Sequence, residues 1–115
     1  MSFLQTWYKK SIAGFRFAVK APRAITHYKK FNDTERLISD FYSTIEEGLK
    51  EKLGTVLFQM PPRFDYTEER LEKIINSLDT SFNNVVEFRH VSWWNVVVYK
   101  ELANNKIKLL QYESS

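Results

Sequence analysis

Four short runs rich in β-branched and aromatic residues recur along the chain, each preceded by a stretch of helical spacing. This alternation limits the fold more than any other feature. "FRFAVK" (15–20) alternates Phe15, Phe17 and Val19 against Arg16, Ala18 and Lys20. "TVLFQM" (55–60), "NVVEFR" (84–89) and "KIKLLQY" (106–112) have the same character, so all four are read as strands. Between them, "DTERLISDFYSTIEEGLKEKLG" (33–54) spaces Leu37, Ile38, Phe41, Ile45 and Leu49 along one helical face. Asp33 or Thr34 suits its N-cap, and Gly54 its stop. "YTEERLEKIINSL" (66–78) repeats the form with Thr67 as cap and Leu71, Ile74, Ile75 and Leu78 as the stripe. "NVVVYKELANN" (95–105) predicts a shorter third helix, and "FLQTWYKK" (3–10) the tail of a helix before the first strand.

Strict alternation with short connections implies a parallel sheet with right-handed crossovers. Doubly wound sheets and (β/α)₈ barrels both satisfy it. No Gly-rich phosphate loop follows any strand, which weakens a nucleotide-binding reading. At 115 residues the chain is one domain, residues 1–115. With 43% hydrophobic and 16% aromatic residues it can bury a core, which argues against global disorder. The absence of Cys excludes disulfides, thiolate catalysis and thiolate metal sites. No stretch approaches the roughly 18 apolar residues of a membrane span, and no signal-peptide pattern opens the chain. A cytoplasmic protein without membrane partners is expected.

Charge is distributed unevenly. Seven Lys or Arg and no acidic residue precede Asp33, against ten basic and fourteen acidic residues from there on. A basic end can meet an anionic partner. The basic residues are scattered rather than clustered, so a nucleic-acid-binding module is the alternative reading and not the first.

In parallel α/β folds ligands bind at the carboxyl ends of the strands. Here those ends read "KAPR", "QMPPRF", "EFRHVSWW" and "QYESS". If Phe17, Val19, Val86 and Phe88 pack on helices, the pleat turns Arg16, Lys20, Glu87 and Arg89 to the opposite face. Buried charge is costly unless paired, so Lys20, Gln59, Glu87, Arg89 and Glu113 are expected to converge at one level. Lys20 and Arg23, flanking Pro22, are candidates for holding an anion, and His27, Gln59 and Arg89 for further ligand contact. Glu87 and His90 are the candidate acid–base pair, and Trp93 a candidate wall. No HxH or HExxH spacing is present, so neither a metal nor another cofactor is expected.

The stretches "FRFAVKAPRAITH", "GTVLFQMPPRF" and "EFRHVSWW" together resemble the YecE-like family, proteins catalogued as a domain of unknown function and built as TIM barrels. The motif residues carried over are Lys20, Pro22, Arg23, Thr26 and His27; Gln59, Pro61, Pro62 and Phe64; and Glu87, Arg89, His90, Ser92 and Trp93. The resemblance implies a partial (β/α)₈ barrel of about four parallel strands, corresponding to the middle of a longer family member. A parent barrel would then bind or transform a small anionic or sugar-like metabolite, with activity absent from half a barrel. A half-barrel has two open edges and an uncovered face, so homo-oligomers are expected.

Overall fold

The computed structural model describes residues 16–111. Phe15, the helix expected over 3–10 and Glu113 lie outside them. Four strands, β1 (Phe17–Lys20), β2 (Leu53–Gln59), β3 (Asn83–Phe88) and β4 (Lys108–Gln111), form one sheet in the order β1-β2-β3-β4, with every neighbouring pair parallel. Three helices alternate with them: α1 (Glu35–Leu49), α2 (Glu68–Ser77) and α3 (Val96–Asn104). The alternation read from hydrophobic periodicity is therefore the observed order.

The pleat sorts each strand into two faces. Val56, Phe58 and Met60 of the β2 segment, with Val86 and Phe88 of β3, are fully buried. They share one core with Ile38, Tyr42, Ile45 and Leu49 of α1, Leu71 and Ile74 of α2, and Val98 and Leu102 of α3. All three helices thus cover the same face of the sheet. Phe58 anchors α1 through edge contacts with Phe41 and Tyr42 at 6.2 Å, and meets Phe31 at 5.8 Å. The other face presents Ala18 and Lys20, then Thr55, Leu57 and Gln59, then Val85 and Glu87, then Lys108 and Leu110.

The expected cap of α2 forms as read, with the Thr67 side chain accepting from Arg70 N at 3.1 Å. At the start of α3, Asn95 is a cap that was not read from the sequence, and its side chain accepts from Val98 N at 2.9 Å. Thr34 stands at the N-cap of α1 but its side chain makes no capping bond. Gly54 does not stop α1. That helix ends at Leu49, Lys50 takes a left-handed φ of 50°, and a 3₁₀ turn (Lys50–Lys52) leads into β2. Gly54 instead sits inside β2, where a Cβ would lie 3.0 Å from Arg16 Cβ and 3.1 Å from the Phe17 carbonyl oxygen. The glycine is required by the close approach of β1 and not by a helix end.

Candidate functional site at the strand ends

Register sets the height of each polar residue on the open face. Lys20 stands level with Leu57, Val85 and Lys108. One step towards the carboxyl ends, Gln59 is level with Glu87, and Glu87 with Leu110. The Gln59 amide donates to Glu87 Oε2 at 3.5 Å, and Glu87 is only 7% exposed. Gln59, Glu87 and Lys20 therefore share a face, but not a level. Lys20 lies on an edge strand separated from β3 by β2, about 10 Å away at the usual strand spacing. The expected meeting of Lys20 and Glu87 in one layer is corrected accordingly, because the neighbour that the sheet order gives Glu87 is an amide. Arg89 and His90 follow β3 immediately beyond its end.

After β1 the chain makes a five-residue π-helical turn, Ala24–Tyr28, with Ile25 and Thr26 buried. Thr26 Oγ1 lies 2.8 Å from His27 Nδ1. Partial burial holds the His27 imidazole below its ordinary pKa, and the positive fields of Arg23, Lys20, Lys30 and Arg89 lower it further. Positive charge at the end of β1, the following turn and the end of β3 thus bears on one imidazole. The Arg23 guanidinium also lies 5.8 Å from the centre of the exposed Tyr28 ring. Lys30 was not among the residues singled out from sequence. The pair "KK" after His27 was its only signal, and basic pairs on surface turns are too common to select it.

The β3–α3 connection is fixed by side chains. A 3₁₀ turn (Val91–Trp93) follows His90. Ser92 N donates to His90 Nδ1 at 3.2 Å, the Ser92 hydroxyl lies 2.8 Å from that same nitrogen, and Tyr66 N donates to Ser92 Oγ at 2.7 Å. Asn95 Nδ2 donates to the Ser92 carbonyl at 3.1 Å. Ser92 thereby ties the loop after β2 to the loop after β3. Its place in the third sequence motif carried no hint of that role, since the tie spans 26 residues.

Trp93 is the clearest correction. It is fully buried, stacked at 3.9 Å on Phe88 and at 5.5 Å on Phe64, with Tyr66 edge-on at 5.1 Å. Its Nε1 donates to the Phe64 carbonyl at 2.7 Å. Both ring faces are occupied, so Trp93 is a core residue and not a wall for a ligand. A cleft of about 1030 Å³ opens between α1 and α2, but it lies on the helical side and none of the candidate residues lines it. There Tyr42 Oη donates to Asn84 Oδ1 at 2.7 Å and accepts from Asp79 N at 3.3 Å, which pins the start of β3.

The architecture and the three strand-end motifs can be set beside known proteins. The family model described as "Protein of unknown function DUF72" matches residues 1–114. The chain belongs to the DUF72 family. The UPF0759 protein YunF of Bacillus subtilis is 28% identical over 104 residues, covering 84% of this chain and 37% of YunF. A crystal structure of a DUF72 family protein from Thermotoga maritima superposes with a TM-score of 0.79 at 31% identity, over 94% of this chain and 43% of that one. This DUF72 chain thus spans about two fifths of the length of these relatives. The family expected from the motifs and the α/β fold with four parallel strands are both found. Among the described residues, no helix is long and apolar enough to cross a membrane.

Proposed function

We propose that the four strands are one part of a (β/α)₈ barrel whose strand-end face holds a small anionic, hydroxyl-bearing metabolite, of which a sugar phosphate is the type. The placement of Lys20, Arg23, His27 and Lys30 at and just after the end of β1, with Arg89 just after β3, carries this reading, and the positive charge of all four cations bears on the His27 imidazole. Positive charge from three segments bears on this one place, so a dianion bound there gains from a favourable local field. The Gln59–Glu87 pair, one strand away and nearly buried on the carboxylate side, offers a donor and acceptors suited to hydroxyl groups. Glu87 and His90, at and just beyond the end of β3, are the side chains we assign to proton exchange or hydrogen bonding with a bound molecule.

His27 is a built-in reporter of occupancy. A bound anion cancels part of the cationic field, so titration with inorganic phosphate should raise the His27 pKa towards the ordinary value of about 6.5. The Hε1 resonance of His27, followed by proton NMR against pH with and without phosphate, gives the answer directly. Lys20→Ala and Arg89→Ala should each weaken the phosphate-induced shift. A His27 titration that does not move at tens of millimolar phosphate would overturn the anion site.

A further inference from the structure

The hydrogen bonds around His90 define what kind of group it is. A backbone N–H is always a donor. Ser92 N points at His90 Nδ1 at 3.2 Å, so Nδ1 serves as the acceptor of that bond and carries no hydrogen of its own. The Ser92 hydroxyl, 2.8 Å from the same nitrogen, fits as a second donor, because its oxygen already accepts from Tyr66 N at 2.7 Å. In neutral imidazole the proton must then reside on Nε2. Asn95, bonded to the Ser92 carbonyl, fixes the turn that aims both donors.

We infer that Ser92 is a positioning residue that holds His90 as its Nε2–H tautomer, so that His90 offers a ligand at the strand ends a neutral hydrogen-bond donor and not a base. The donor role rests on the anion-site reading above, and it gives His90 one side of a role that sequence left open. The ligand group facing His90 is an acceptor such as a phosphate or carboxylate oxygen, and not a hydroxyl proton awaiting removal. The same geometry argues against Ser92 as a nucleophile. Its oxygen is held by a backbone donor, and the nitrogen that would take its proton is already engaged by its own N–H.

Long-range proton–nitrogen correlation NMR on the ¹⁵N-labelled 115-residue chain tests this, with the two imidazoles assigned through His27→Gln and His90→Gln. At pH 8, where histidine is ordinarily neutral, His90 should show an unprotonated Nδ1 and a protonated Nε2. Ser92→Ala keeps the backbone donor at position 92 but removes the hydroxyl donor and the Tyr66 tie, so the His90 Nδ1 resonance should shift, and Ser92→Thr should restore it. An Nδ1–H tautomer in the wild-type chain, or a Ser92→Ala spectrum identical to wild type, overturns the inference whatever phosphate does. With inorganic phosphate as probe, His90→Ala should weaken binding roughly tenfold, about the effect of one charge-assisted hydrogen bond. Unchanged phosphate affinity in His90→Ala overturns the donor role. Failure of wild type to bind phosphate, with the Nε2–H tautomer intact and sensitive to Ser92, overturns the anion site and leaves the positioning role of Ser92 standing.

Discussion

Trp93 and His27 show how differently two residues of the same strand-end tier are used. Trp93 fills the gap between Phe64 and Phe88 with no exposed surface. Trp93→Ala removes a buried aromatic and orphans the Phe64 carbonyl, so unfolding stability should fall by about 3–5 kcal/mol, read as a shifted urea midpoint. His27 contributes in a pH-dependent way. Its folded-state pKa lies below the unfolded value because burial and four cations oppose its charge. Between those two values the unfolded chain binds more protons, so its stability contribution is complete above about pH 6.5 and is lost as pH falls through the folded pKa. Urea midpoints at pH 7.5 and pH 5.5 should therefore differ more in wild type than in His27→Gln. An equal difference would show that other groups set the acid limit.

At the scale of elements, Gly54 and Thr67 carry separable tests. Gly54→Ala places a methyl 3.0 Å from Arg16 Cβ and 3.1 Å from the Phe17 carbonyl. β1 has to shift away, at a cost of about 1–3 kcal/mol. Amide exchange should accelerate at Val19 and Lys20 ahead of β3. Thr67→Ala removes the acceptor for Arg70 N and should cost about 1 kcal/mol, with fraying confined to the first turn of α2. Equal loss of protection across both regions in either variant would mean that the elements unfold only together.

For the whole molecule, the sheet is covered by helices on one side, while the other carries Leu57 and Val85 half-buried and Leu110 at 48% exposure. A sheet face left without helices and carrying these apolar residues among its polar ones favours association, and eight strands close a barrel where four do not. The 115-residue chain is accordingly proposed to form a homodimer through this face. Light scattering at micromolar concentration should give twice 13.7 kDa, and Leu110→Glu should shift the mass towards one copy. A wild-type mass of 13.7 kDa at all concentrations would show that the chain covers this face itself.

Hydrophobic period alone determined the kind and order of the elements, because burial on one helical stripe or one strand face leaves its mark on residues close in sequence. It also determined that Gln59 and Glu87 share the face away from the helices, since the pleat alternates without exception along β2 and β3. What sequence could not fix was height and lateral neighbour. Lys20 and Glu87 look equivalent as polar strand ends, yet register sets Lys20 one level lower and strand order inserts β2 between them. The same holds for Trp93, whose fate depends on Phe64 arriving from another loop, and for Ser92, whose partner is the distant Tyr66 amide. Pairings of that kind are chosen by the packing of whole elements, and no local pattern encodes them. Tertiary structure alone decided which strand-end residues became core and which became candidate site.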